Sequence, residues 1–222
     1  MIEKKLIIVG AGNIAREILY TALMSSFNEG TSENNRWKPI SFVIDSEFIT
    51  VDYVENLPVS SFENVKYLVD DETEFILGTG SPATRNKMFN TLINYLPHAK
   101  FASIIHPRSI IMPNTTIARG VYIAANSTIA IGCQLKEHSV INQNVSIGHD
   151  CVIGNFSIIS PGSVLSGKTL VGDMTFLGSC VVTYPGIQIG ENCTISSGVV
   201  VSRNLKKRHK QILKPNTMIL PD

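Results

Sequence analysis

An aliphatic residue returns every six positions through the C-terminal half of this 222-residue chain, and no other feature restricts the fold as tightly. The series runs from Ile105 through Ile111, Ile117, Ile123, Ile129, Leu135, Ile141, Ile147, Ile153, Ile159, Leu165, Val171 and Leu177 to Ile189, Ile195 and Val201. Seventeen positions fall in phase without an insertion, sixteen of them aliphatic, and Thr183 is the exception. Two residues before each stands a small or β-branched side chain, as in Ser127, Cys133, Val145, Cys151, Thr169 and Val199. Side chains two apart on a strand share a face, so each hexad reads as a short strand with two inward residues, followed by a corner. Three such strands close a triangular coil. The aliphatic residue fills the prism, the small one fits where the chain turns, and stacked coils complete each other's backbone hydrogen bonds.

The phase also accounts for the cysteines. Cys133, Cys151 and Cys193 occupy the small-residue slots, Cys180 abuts one, and no CxxC spacing occurs, so core packing is expected rather than a disulfide or a metal site. The chain is 44% apolar and 17% charged with a formal net charge of +1, a soluble globular balance that gives nucleic acid or a membrane surface no purchase as main partner. The first apolar stretch, Leu6 to Val9, stops at a glycine loop and is far too short for a signal sequence or a membrane span, which makes a cytoplasmic location the expectation.

Residues 1–100 carry a different pattern, alternating strand and helix, which predicts a small Rossmann-like α/β domain ahead of a β-helix over 101–203 and a basic tail over 204–222. A β-branched strand, Lys5 to Val9, runs into Gly10-Ala-Gly12-Asn-Ile-Ala15, and Ile18, Leu19, Ala22 and Leu23 then follow at helical spacing to Met24. The polar run from Asn28 to Asn35 reads as a surface loop, and a second strand covers Ile40 to Asp45. A third, Glu74 to Leu77, ends in Gly78-Thr-Gly80 before a helix from Pro82 to about Leu96. Gly10-x-Gly12-x-x-Ala15 matches the loop whose glycines let a backbone approach phosphate at a helix N-terminus. Asp45, the acid placed to hold a ribose, follows Gly12 by 33 residues, against a usual spacing of about 20. A structural turn, a mononucleotide or sugar-nucleotide site and a redox dinucleotide site all remain open on the loop alone. The last suffers because no second half of a dinucleotide fold follows.

A glycine-rich α/β domain, an Ile105-His106-Pro107 strand and unbroken hexads holding Asn142 and Gly148-His149-Asp150-Cys151 together resemble the hexapeptide-repeat acyltransferases. The likeness over nearly the whole chain is to the sialic acid O-acetyltransferase and sugar-nucleotide 4-amino N-acetyltransferase family. The resemblance implies a left-handed coil, acetyl-CoA as acyl donor, a homotrimer, and an acceptor that is a nucleotide-linked 4-amino-4,6-dideoxy sugar used in surface glycan biosynthesis. It places the general base on His149, its orienting acid on Asp150, and an acceptor-site position on Asn142. Acceptor binding would further use Gly10, Gly12, Asn13, Ile14, Asp45 and Gly78. Coenzyme A would lie in a groove between adjacent prisms, along Ile158, Gly167, Ser179 and Ser197, with cations of the stretch Arg203 to Lys210 near its phosphates. The chain departs from the family in three places. Ile158 stands where members with UDP-sugar acceptors have a histidine, Asn13, Ile14 and Ala15 end the nucleotide loop, and Lys214-Pro-Asn-Thr-Met replaces the usual C-terminal motif.

The residues support part of this independently. His149 falls at a corner, pointing out of the prism, and a base with a pKa of about 7 can take a proton as an amine attacks a thioester, which an ammonium cannot do. The acid beside it can fix the imidazole tautomer. His106 and His138 are expected at outward or corner positions and His98 and His209 outside the repeat, none with a direct chemical role. A zinc-dependent carbonic anhydrase, another use of this fold, needs three converging imidazoles, and the sequence offers no such set and no metal site. Two alternatives to N-acetylation are acetylation of a sugar hydroxyl and a non-catalytic trimeric scaffold that senses a nucleotide.

Overall fold

The computed structural model describes residues 2–25 and 35–206. Most of the expected polar loop at 28–35, and the basic stretch from 207 onward with Lys214, lie outside the described residues. The architecture is the one expected: an α/β Rossmann-like domain followed by a left-handed parallel β-helix.

In the first part, β1 (Ile2–Val9), β2 (Asn35–Ile44), β3 (Tyr53–Val54), β4 (Leu57–Ser61), β5 (Thr73–Leu77) and β6 (Lys100–Phe101) form one sheet in the order β3-β4-β2-β1-β5-β6. All pairings are parallel except that of β3 with β4. Helix α1 (Asn13–Ser25) connects β1 to β2, and α2 (Pro82–Tyr95) connects β5 to β6. The bounds of the observed elements differ from the expected ones by a few residues, most at the start of β2, which begins at Asn35 rather than Ile40. Alternation along β1 sends Leu6 and Ile8 to the face that buries Ile18, Leu19 and Ala22 of α1. Ile7 and Val9 go to the other face, with Phe75, Leu77 and Leu92 of α2. Successive connections leave β1 on opposite sides, so the sheet has its switch point between β1 and β5, where ligands of open α/β folds bind.

From Ile104–Ile105 to Val200–Val201 the chain forms seventeen two-residue strands, and residues 18 apart pair in parallel, as Ile123 does with Ile141 and Ile141 with Ile159. They make three sheets of six, six and five strands. The first sheet holds Tyr122–Ile123, Val140–Ile141 and Ile158–Ile159, the second Thr128–Ile129 and Ser146–Ile147, the third Gln134–Leu135 and Val152–Ile153. The in-phase aliphatics and the small residues two before them form one core along the axis. Thr183, the exception, is buried but satisfied: its hydroxyl accepts from Ser166 N at 3.0 Å and shares a hydrogen bond with Thr169 at 2.8 Å.

Every corner from Asn114 to Gly198 holds one residue of positive φ, spaced by six. Asparagine, glycine and Asp150 fill ten of these fifteen positions, the types that tolerate the left-handed region. His138, Phe156, Lys168, Met174 and Cys180 fill the others, held there by the ladder above and below.

Five of the six outward residues of the first sheet are apolar: Ile104, Tyr122, Val140 and Ile158 are buried against the α/β domain, Phe176 is half-buried, and only the last, Thr194, is polar and exposed. Helix α1 therefore lies between its own sheet and the prism. It is pinned there by Ser25 Oγ donating to Ile105 O at 2.7 Å, by a hydrogen bond between Thr21 and Tyr122 hydroxyls at 3.2 Å, and by Gln143 Nε2 donating to Glu17 Oε2 at 2.7 Å. Burial pushes the Tyr122 phenol up to about 12.

His138 keeps the corner position that the repeat assigns it. Its ring leaves the prism there but is fully buried beneath the α/β domain, stacked on Phe156 at 5.0 Å between ring centroids and flanked by Phe89 of α2 and Phe101 of β6. Desolvation drives its pKa down to about 3, so it is neutral, with neither ring nitrogen hydrogen-bonded. Its slot exists because position 120 is glycine: a β-carbon there would stand 2.1 Å from the imidazole Nδ1.

Candidate active site

The corner that follows the strand Ser146–Ile147 carries His149 and Asp150. Gly148 opens it, and only glycine fits, since a β-carbon would meet Gly167 N of the next coil at 2.6 Å. Asp150 takes the left-handed position with φ 58°, which turns its carboxylate back toward the preceding residue. His149 Nδ1 and Asp150 Oδ2 are 2.9 Å apart, and both side chains are 56% exposed. Asp150 in turn lies over Gly132, where a β-carbon would come within 2.6 Å of Oδ1. On the other side the imidazole rests on Gly167, whose β-carbon would stand 2.4 Å from Nε2. Two glycines one coil below and above thus make room for a histidine whose Nδ1 faces a carboxylate and whose Nε2 stands at the open corner. With the proton on Nδ1 and donated to the carboxylate, the Nε2 lone pair is free to accept a proton.

Cys151, next in sequence, faces inward and donates to Ser166 O at 3.3 Å. Burial pushes its thiol up to about 11, and raises that of Cys133 below it, so neither is an activated nucleophile. Among the described residues no group of three or more His, Cys, Asp or Glu is disposed to hold a metal ion.

The other expected site residues divide between two corners. Gly167 stacks directly on His149. Asn142, Ser179 and Ser197 instead follow strands of the first sheet, on the neighbouring vertex of the prism. Asn142 is 5% exposed, with Nδ2 donating to Ile159 O at 3.2 Å. Ser179 N already donates to Ser197 Oγ at 3.1 Å, so that amide is engaged within the prism. Ile158 does not reach a groove at all: it is 1% exposed, between Val140 and Phe176 in the face covered by α1, and presents no side-chain surface to a ligand.

At the C-terminal edge of the α/β sheet the expected loop residues converge. Gly10 (φ 114°) donates its amide to Val43 O at 2.8 Å, and Gly78 donates to Val9 O at 2.7 Å, so the loops after β1, β2 and β5 are tied together. Gly10 is confined by Gly78 O, 2.9 Å from where a β-carbon would sit, and Gly78 by Ala15 at 2.6 Å. Gly12, by contrast, faces open space and Asn13 is exposed at the first turn of α1. Ile14 lies against Gly80, and Asp45 pairs with Lys87 of α2 at 3.5 Å. Lysine at that mouth adds a cation to the free amides of the helix N-terminus.

Between this loop and the prism runs a cleft of about 420 Å³ lined by Asn13, Glu17, Tyr20, His106, Tyr122 and Gln143 among others. It begins at the first turn of α1 and ends at the vertex that also bears Asn142. His106 accepts from Arg108 N at 3.1 Å, and burial, with Arg108 nearby, lowers its pKa. Sequence reasoning missed Glu17 and Gln143, which meet across 126 residues, and gave His106 no role in a cleft. No local pattern marks such a pair.

Comparison with known proteins places the fold. Residues 90–186 match the family described as GMPPB C-terminal domain. Among curated proteins, none matches the chain by sequence. Solved structures of similar fold include the acetyltransferase domain of PglB from Neisseria gonorrhoeae FA1090 in complex with acetyl coenzyme A, at TM-score 0.79 and 21% identity over 92% of this chain and 94% of that one. A variant of perosamine N-acetyltransferase from Caulobacter crescentus, in complex with CoA and GDP-perosamine, gives 0.77 and 21% over 91% and 90%. WeeI from Acinetobacter baumannii AYE gives 0.77 and 17% over 92% and 94%. All three share both parts of this chain's architecture, an α/β domain joined to a left-handed parallel β-helix.

Proposed function

We propose that this chain is an acetyl-CoA-dependent N-acetyltransferase acting on the amino group of a nucleotide-linked amino sugar, of the 4-amino-4,6-dideoxy class, in surface glycan biosynthesis. The observation that carries the reading is the exposed His149–Asp150 pair, with Nδ1 engaged at 2.9 Å and Nε2 open above Gly167. The neutral amine attacks the thioester carbonyl carbon as His149 Nε2 takes its proton. A C–N bond forms, the C–S bond breaks, and the proton passes on to the departing thiolate. Asp150 holds the tautomer and stabilises the imidazolium that forms between these steps.

Donor and acceptor follow from the neighbours' complexes, one with acetyl coenzyme A and one with CoA and GDP-perosamine. Residues 1–100 supply the acceptor site: the Gly10–Ile14 loop, Asp45 and Gly78 receive the nucleotide, and the cleft beside Glu17 and Gln143 leads its sugar toward the prism. Residues 101–203 supply the chemistry. A homotrimer in the cytoplasm is part of the proposal, supported by two features. His149 and Asn142 lie on different vertices of one prism, so a site using both is completed by two copies. Exposed Ile110, Met112, Ile131, Val164, Tyr184 and Val200 crowd the second sheet and the vertex after it, an apolar surface of the kind that packs against another subunit.

Thiol release from acetyl-CoA with amino-sugar nucleotides tests the reading. His149→Ala, sedimenting as a trimer like the parent, lowers turnover by roughly 10² to 10⁴, the range for loss of a general base. Turnover within a few-fold of the parent removes His149 from the chemistry, and a stable monomer at micromolar concentration removes the shared site.

A further inference from the structure

Arg85, in the first turn of α2, is 0% exposed, and no carboxylate pairs with it among the described residues. Its Nη1 donates to Leu77 O at 2.9 Å and to Thr79 O at 2.8 Å, the two carbonyls flanking Gly78. Its Nε donates to His138 O at 3.0 Å, across to the prism, and Nη2 has no partner. Burial lowers the guanidinium pKa to about 9, which leaves it charged at neutral pH. A buried cation without a counter-charge is costly to keep, and the two carbonyls of one turn are an unusual place to spend it.

The turn it holds is the one that fits against Gly10 and Ala15 with no room for a β-carbon, so a displacement of Leu77–Thr79 moves the Gly10 loop as well. The third carbonyl belongs to His138, whose ring is fixed by Phe89, Phe101 and Phe156. One rigid fork therefore fixes the height of the sheet's ligand-binding edge over the β-helix, and leaves a positive charge behind that edge.

Resting on the acceptor reading above, we infer that Arg85 is a positioning residue for the acceptor: it joins the Leu77–Thr79 turn to the His138 corner, and its uncompensated charge favours an anionic diphosphate at the edge of the sheet. Lysine at this position keeps the charge but cannot span three carbonyls in fixed geometry; methionine loses both.

The test is steady-state kinetics of Arg85→Lys and Arg85→Met, with the best parental substrate among UDP-, GDP-, dTDP- and CMP-linked amino sugars. Arg85→Lys raises the acceptor KM roughly tenfold and Arg85→Met roughly a hundredfold, the scale on which a small misplacement acts. The KM for acetyl-CoA stays within about twofold and kcat at saturating acceptor within a few-fold. A role in general stability alone would move both KM values and kcat together. If Arg85→Met does not assemble, Arg85→Lys decides. An unchanged acceptor KM in the variants, or an acetyl-CoA KM that rises with it, overturns the inference alone. A parent that turns over none of these nucleotides overturns the acceptor reading and this inference with it.

Discussion

The prism and the α/β domain hold their residues by contacts of different reach. In the prism each side chain's neighbours lie 18 positions away, as in the ladder Ile123, Ile141, Ile159, so a residue's direction follows from its phase in the repeat. In the α/β domain Ile7 pairs with Phe75, and Arg85 reaches from α2 to His138, so each loop is placed by several distant segments jointly. A periodic scaffold lets chemistry be installed at one corner, with a glycine below and above, without disturbing the rest. The aperiodic domain brings several loops to one edge, and each of them is coupled to its neighbours.

That contrast is open to experiment, and the largest effect falls on the coupled domain. Gly10→Val forces a branched side chain into φ 114° with Gly78 O in its path, so the whole loop shifts. It raises the acceptor KM at least tenfold and costs the protein of the order of 2 kcal/mol, the scale of backbone strain and clash. Gly12→Ala, facing open space, leaves stability near that of the parent. Equal melting shifts in the two variants break the claim that this edge is a packed unit.

The junction between the regions is sensitive to acid. His138 has a folded pKa of about 3, against an ordinary value near 6.5. The unfolded chain therefore binds the extra proton first. The stability from burying a neutral imidazole is complete above about pH 6.5 and is lost as pH falls toward 3, up to about 5 kcal/mol. His138→Leu loses stability less steeply over that window in denaturant titrations at successive pH values. Parallel curves for variant and parent would mean that His138 is not the acid-sensitive group.

The smallest effect tests the periodic rule from inside. Thr183→Val restores the aliphatic ladder that the repeat calls for, yet it strips the acceptor from Ser166 N. The change destabilises by about 1 kcal/mol, the cost of an unsatisfied buried donor. A variant more stable than the parent shows the hydroxyl to be dispensable.

Reach also decides what was legible in the sequence. The core slots, the corner of His149 and its neighbour Asp150 could be read directly, because phase alone fixes them. The loops after β1, β2 and β5 were legible as motifs, and their meeting at one edge followed from topology. His138 is legible as a corner residue but not as a buried one, because its cover, Phe89 and Phe101, and the room left by a glycine one coil earlier come from other segments of the chain. Ile158 was misread for a related reason. It belongs to a second, 18-residue apolar period, Ile104, Tyr122, Val140, Ile158 and Phe176, that marks the face where α1 docks. That period stands in the sequence, beneath the stronger period of six. Glu17, Gln143 and Arg85 have no such signal, since Glu17 and Gln143 meet across 126 residues and the contact by which Arg85 reaches the prism, to His138, spans 53.

The proposed function divides the labour, with acceptor recognition in the α/β domain and acetyl transfer on the prism. The most direct measurement is kcat/KM for one amino sugar offered nucleotide-linked and free, in the same thiol-release assay. A preference of roughly 10² or more for the linked form is expected, since binding energy from the remote nucleotide is what a separate acceptor domain would contribute. Gly10→Val should erase most of it. Free and linked sugars acetylated with equal efficiency by the parent protein would rule out this division.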